Sequence, residues 1–298
     1  MRQRFTVIEG GAAARAPAAD AAPTADVQVS PIAAPLAWRV DLRRAAAVSE
    51  GEIAAWRALL VRARVADPVL ADPDYLLSAA QHQSGGRDLL FALAWTTGNG
   101  PDQLAAVLPL ALPHTLWGQE RIGLWQPHGT ALAPTIAPDR VEAARMAVSE
   151  RLRLLRPRAV LLLDGVAGPA ARAPAAQLRA VPRRAGIPTQ SLVGVRPGRA
   201  PSQVERIGEP DRVRDAVEEF LLLDAEVSLA PIIGDPSEAA LVRVVTRLFA
   251  QRRQVTVTLT RQEGAVVAAA ITLGHGAQAV AWRQVAGAVV PERIGRSA

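Results

Sequence analysis

The sequence predicts an α/β protein of two lobes, and three observations predict it. An order of helix, helix and three strands occurs twice along the 298 residues. The helices carry apolar residues three and four apart, whereas the strands are short apolar runs bounded by turn residues. At roughly 100–200 residues per domain, the length suits about two domains. The mixture of apolar and charged residues is that of a globular chain able to bury a core.

Residues 1–35 are rich in Ala and Pro and show no period, so they are expected to form a disordered tail. Order is expected from a short strand around Trp38. Ser49 stands three residues before Glu52, a capping-box spacing. The helix that follows places Ile53, Trp56, Leu59, Leu60 and Ala63 on one face, and Asp67-Pro68 is expected to end it. Asp72-Pro73 opens a second helix, with Tyr75, Leu76 and Ala79 on one face, and Ser84-Gly85-Gly86 closes it. Strands are predicted at Asp88 to Thr96, Gln103 to Leu112 and Arg121 to Gln126, close enough for an antiparallel meander. After a loop containing Pro and Gly, Asp139 is expected to cap a helix reaching about Leu155. A buried strand is expected at Arg158 to Leu163, a helix at Gly168 to Val181 and a strand at Thr189 to Val195. The first lobe thus covers residues 36–197.

The second lobe, residues 198–298, repeats the opening of this order. Pro210 to Leu223 is a helix with Val213, Val217, Phe220 and Leu221 on one face. Ser237 is expected to cap a helix from Glu238 to about Arg252. Strands follow at Gln254 to Thr260, Ala265 to Leu273 and Gln278 to Val285. Their turns are Gln262-Glu263-Gly264 and Gly274-His275-Gly276.

Composition excludes several chemistries. All 34 residues in the Lys+Arg count are Arg. A Schiff-base lysine, a P-loop lysine and a lysine base are therefore impossible. The chain has no Cys, which removes disulfides, thiolate catalysis and Cys-based metal sites and fits a cytoplasmic protein. His82, His114 and His128 lack ligand-like spacing, so no metal site is expected. The net charge of +6 comes from arginines scattered among acids with few aromatics beside them, so a nucleic-acid partner is not indicated. The longest apolar runs fall well short of the about 20 residues a spanning helix needs, and the N-terminus lacks the apolar stretch of a secretory signal. Asp164 to Ala171 contains Gly-x-x-Gly but not the three-glycine dinucleotide fingerprint.

Several stretches carry a resemblance. They are EIAAWRALLVRARVADPVLADPDYLLSAA, GLWQPHGTALAPTIAP, DAVEEFLLLDAE and QVTVTLTRQEGAVVAAAITLGHGAQAVAWRQVAG. In this order they resemble the tandem GNAT-like proteins of the CelD/BcsL-like acetyltransferase family, associated by name with cellulose or exopolysaccharide biosynthesis. The resemblance runs from Trp38 onward. It implies two GNAT-like lobes with mixed, mainly antiparallel central sheets flanked by helices, the second lobe incomplete. Two departures stand out. VSLAPIIGDPSEAAL replaces the family's Trp-Lys-Gly and Gly-Thr-Ala-Leu, and VAGAVVPERIGRSA follows the last strand where the family continues into further elements.

The resemblance also implies a chemistry. An acyl-CoA-dependent N-acyltransferase would take acetyl-CoA as co-substrate and an amine or sugar precursor as acceptor, with direct attack of the amine on the thioester. This needs a free strand edge for the pantetheine amides, a helix N-terminus for the pyrophosphate and help in keeping the amine neutral. In the second lobe, the pyrophosphate helix and partner strand would lie beyond Gly295. In the first, Pro134 and Pro138 limit the N–H donors before the helix. Asp224 is the candidate general base, its other reading being a solvated helix-end acid. Trp282 and Arg283 are candidate substrate-binding residues at the family's Trp-Lys position, the other reading being a strand Trp packed in the core. His275 is read as part of a hairpin turn. Two further functions stay open: a non-catalytic GNAT-like protein binding a protein partner in exopolysaccharide assembly, and a Fem-type aminoacyl ligase.

Overall fold

The computed structural model describes residues 37–98, 100–113, 120–128, 130, 132–162 and 202–287. All of them lie in one compact unit, Leu36–Ala298. The expected tail at 1–35, helix at 168–181 and strand at 189–195 fall outside the described residues, as does His114.

In the first lobe, β1 (Ala37–Arg43) leads to α1 (Glu50–Ala63) and α2 (Pro73–His82). Then come β2 (Asp88–Thr97), β3 (Gln103–Leu112), β4 (Glu120–Leu124), the two-residue β5 (Thr135–Ile136), α3 (Val141–Leu155) and β6 (Ala159–Leu162). The sheet order is β1-β2-β3-β4-β6, with β5 attached to β3. The β1–β4 neighbours are antiparallel, and β6 joins β4 in parallel after the α3 crossover. In the second lobe, β7 (Gln203–Ile207) precedes α4 (Pro210–Val227), α5 (Pro236–Gln251), β8 (Val255–Gln262), β9 (Ala265–Leu273) and β10 (Val280–Ala286). Its antiparallel sheet runs β7-β8-β9-β10. With β7 included, both lobes open strand, helix, helix, three strands, and both sheets lay those four strands in sequence order.

Burial explains the two kinds of strand. Strands β2 and β3 are apolar almost throughout because helices cover both faces of their sheet. On one face a core of Trp56, Leu59, Tyr75, Leu93 and Trp95 is continuous with Phe220, Leu241, Val245, Phe249 and Ile271 of the second lobe. On the other, α3 presses Val148 and Leu152 against Ala92, Leu108, Leu110 and Ile122. Each large apolar side chain buried this way contributes about 1.5–3 kcal/mol. Strand β8 instead alternates, with Val255, Val257 and Leu259 buried and Thr256, Thr258 and Thr260 half-buried.

The local signals mostly hold, and the exceptions have physical reasons. Helix α1 ends at Ala63, before Asp67-Pro68, because Arg64 turns left-handed at φ 48°. Asp139 does not cap α3. It sits in a 3-10 turn, Pro138–Arg140, and pairs with Arg140 at 2.9 Å. Ser237 does not cap α5 either. Pro236 occupies the first helical position, leaving Asp235 as the cap, whose carboxylate accepts from the Ser237 and Glu238 N–H groups. Strand β6 was expected to be buried, but only Ala159 is, because β6 is the outermost strand of the first sheet among the described residues. Strands β5 and β7 are too short, or too polar, to register as apolar runs.

The α1 capping box forms as the sequence predicts. Glu52 accepts from the Ser49 N–H at 2.7 Å and the Ser49 hydroxyl at 3.0 Å, and Arg43 Nε adds a bond at 2.9 Å. Burial pushes the Glu52 carboxyl up, but these partners together hold it below its ordinary value. A lowered carboxylate stabilises the fold above its unfolded value, and that contribution is lost as pH falls through the folded one. Glu52→Gln should therefore lower neutral-pH stability by about 1 kcal/mol. The difference from wild type should vanish on acidification, as urea unfolding across a pH series would read.

At the end of β9, Gly274 has φ +79°, and a Cβ there would lie 2.5 Å from Val69 Cγ2 of the first lobe. Gly274→Ala should cost about 2 kcal/mol through backbone strain and the clash together. In a Val69→Ala background the same substitution should cost less, since the strain remains and the clash is gone, measured as a smaller shift of the urea midpoint from Val69→Ala alone.

Candidate functional site

The two lobes meet along α2 and α5, and the ends of these helices organise the polar residues of the junction. The helices run antiparallel, since the residue capping the C-terminus of each reaches the first turn of the other. Arg252, after α5, bonds Asp72 and Asp74 at the start of α2. Gln83, after α2, bonds Glu238 in the first turn of α5.

The Arg252 end pairs its charges, although Arg57 Nε is buried without a hydrogen-bond partner. Asp72 is buried, caps α2 by accepting the Asp74 N–H, and receives both Arg252 terminal nitrogens at 2.9 and 3.0 Å. Asp74 accepts from Arg252 at 2.7 Å and from Arg57 at 2.8 Å, and Gln254 takes a further bond from Arg252. Burial pulls the Arg252 guanidinium down, but the two carboxylates raise it above its ordinary value overall. A cleft of about 210 Å³ opens beside this network, lined in part by Phe249, His275 and Gln278. Two guanidiniums and two carboxylates balance there, so the arrangement reads as a clamp between lobes. Arg252→Met should cost about 2–4 kcal/mol by leaving buried carboxylates underpaired. Arg39→Met, which breaks the exposed Arg39–Asp102 pair, should cost under about 1 kcal/mol. Urea unfolding of both variants compares them.

The opposite end gathers the candidate residues of β10. Gln83 Nε2 donates to Glu238 at 2.7 Å, and its Oε1 accepts the His128 N–H at 3.0 Å. Arg283 pairs with the other Glu238 oxygen and lies over the Trp282 ring, 5.1 Å from its centroid. Tyr75, from α2, meets the Trp282 ring edge-on at 5.9 Å and 86°. Burial pushes the Tyr75 hydroxyl up, while the Arg283 charge and hydrogen-bonding contacts with Trp282 and Thr130 act against it. Trp282 is partly buried against the core shared by the lobes, so core packing applies to it whatever else it does.

The sequence did not show how Trp282 and Arg283 come to share this junction. Consecutive strand residues point to opposite faces. Here the β9–β10 register shifts between Ala281 and Arg283, leaving Trp282 as the extra residue of a bulge. A bulge re-aims side chains and releases backbone groups from the ladder. Strand β10 is also the outer strand of its sheet among the described residues, whereas β4, its counterpart in order, is flanked by β6. Glu238, Gln83 and Tyr75 were missed as site residues. Their only sequence signal was their placement at helix ends or on a core face.

Asp224 lies elsewhere in the local bonding. It is buried in the last turn of α4 rather than solvated. Its oxygens accept the Ser228 hydroxyl at 2.5 Å and the Ile232 N–H at 2.6 Å, which ties down the segment after the helix. His275 occupies the β9–β10 turn as expected, between two glycines of positive φ. Among the described residues, no group of three or more His, Asp or Glu could hold a metal ion. No described helix is long and apolar enough to cross a membrane.

No protein-family model matches the sequence, and no curated protein does. Among solved structures, the chain is similar to a tandem GNAT protein from the clavulanic acid biosynthesis pathway, determined without AcCoA. The match covers 84% of this chain and 79% of that one, at 15% identity and a TM-score of 0.37.

Proposed function

We propose that the chain is a GNAT-like, acyl-CoA-dependent N-acyltransferase whose donor binds along β10 and whose acceptor is an amine on a sugar or surface-polysaccharide precursor. The observation that carries this reading is β10 itself: the outer strand of its sheet among the described residues, bulged at Ala281 to Arg283, with an aromatic ring and a guanidinium at the bulge. An unpaired edge presents N–H and C=O groups in a row, which an extended ligand with amides of its own can extend as a further strand. The pantetheine arm of acyl-CoA has that character, so the β10 backbone suits it. The repeated element order and strand order of the two lobes support the same reading.

Bound acetyl-CoA would supply a thioester carbonyl for the amine to attack, with the thiol leaving. Of the chain's own groups, Arg283 would hold a negative or carbonyl oxygen, and Trp282 would wall the arm. Asp224 is the acid this reading takes as base for the amine proton. A second reading is favoured by one observation, that both Asp224 oxygens are already engaged. On that reading the protein binds the donor or a partner without catalysis and acts in polysaccharide assembly. In either case we place it in the cytoplasm.

Calorimetric titration of the full chain with acetyl-CoA tests the shared claim. Binding should appear, and Arg283→Ala should weaken it by about tenfold, close to 1.4 kcal/mol. No heat and no thermal shift at millimolar acetyl-CoA would sink the donor site. With glucosamine as acceptor, thiol release that is lost in Asp224→Asn while donor affinity is kept supports the base role. Release unchanged by that substitution removes Asp224 from the chemistry.

A further inference from the structure

The groups at the bulge belong to the second lobe, but their supports come from the first. Gln83 is buried, 5% exposed, and follows the last turn of α2. Both ends of its amide are used. The nitrogen holds Glu238 Oε2, and the oxygen holds the His128 N–H on the segment after β4. Glu238 Oε1 in turn holds Arg283. Tyr75, two turns earlier on α2 and 1% exposed, sets the tilt of the Trp282 ring by its edge contact. Arg283 is thus fixed through one carboxylate, and Arg283 Nε is buried with no partner. A buried charged donor left unpaired is costly and marks a place where an acceptor would be welcome.

The chemistry of Gln83 suits this task. A neutral amide donates one N–H to Glu238 and leaves its negative charge to Arg283. A carboxylate in its place would repel Glu238, and an apolar side chain would free it to swing. The equivalent contact at the other end of the helix pair uses Arg252, which meets two carboxylates directly. The two ends therefore divide the labour: one clamps the lobes and the other orients β10.

We propose that Gln83 and Tyr75 are positioning residues, through which the first lobe sets Arg283 and Trp282 at the β10 edge and so controls ligand affinity there. This rests on the reading of β10 as the donor site. It places the first lobe's contribution in the α2 helix rather than in a second donor site.

The test uses the full-length protein and two readouts. Nitrogen–proton NMR follows the Trp282 indole and Arg283 Nε signals, assigned with Trp282→Phe and Arg283→Lys. Gln83→Met keeps the volume and removes both polar ends, and Gln83→Glu adds the repulsive charge. The hydrogen bonds of Gln83 run to Glu238 and His128, so movement of both signals in either folded variant, with the Trp56 indole unmoved, supports the relay. Unmoved Trp282 and Arg283 signals in both variants overturn it. Tyr75→Leu removes the ring edge and should shift the Trp282 signal, and an unmoved signal there takes Tyr75 out of the proposal. Acetyl-CoA titration is the second readout. Affinity should fall by about tenfold in Gln83→Met, and unchanged affinity there overturns the control of binding. If the wild type binds no acetyl-CoA, the donor-site reading fails, and the NMR result still decides whether α2 positions the β10 side chains.

Discussion

Helices α2 and α5 lie antiparallel between the sheets, and each hands the residue after its last turn to the first turn of the other. A helix end leaves unpaired donors at its start and unpaired acceptors at its finish, so polar partners collect at both. Here Asp72 and Asp235 cap their own helices, and the opposite lobe supplies Arg252 and Gln83 to the acids of those first turns. The apolar faces of the pair join one core that runs from Trp56 to Phe249. The polar ends fix the register in which that core closes. Gly274 shows how close the closure is, since its missing Cβ makes room for Val69.

The same pairing gives the junction two unlike ends. At one, two carboxylates and two guanidiniums balance in charge around Asp72. At the other, a single carboxylate is shared between an amide from the first lobe and a guanidinium from the second. The balanced end resists separation. Each end keeps one buried arginine Nε without a hydrogen-bond partner, Arg57 at the first and Arg283 at the second, and only the second has an aromatic ring and a bulged strand that is outermost among the described residues. The proposed donor site lies at the second end because the bulged strand edge is there.

Legibility differed by element. The α1 cap, the face of α4 and the β2–β3 and β8–β9 hairpins could be read directly, since each depends on residues a few positions apart. Asp139 and Ser237 were misread as caps because a neighbouring Pro decided which residue stands at the boundary. Strands β5 and β7 left little trace, one too short and the other half polar. Trp282 and Arg283 were legible as candidates from the resemblance, but not their shared face, which needs the bulge. Asp224 was legible as a helix-end acid, but not its burial or its hold on Ser228 and Ile232.

By itself, the sequence determined the alternation of helices and strands, the doubled order of the lobes and the chemistries that a chain without Lys or Cys cannot perform. These follow from composition and short-range periodicity, which no tertiary contact can alter. Only the tertiary structure decided which residues meet across the lobes. Gln83 and Glu238 are 155 positions apart, and Arg252 and Asp72 are 180. No local pattern records such a contact, because the packing of one helix on another sets it, and that packing is fixed only when both sheets and their shared core are in place.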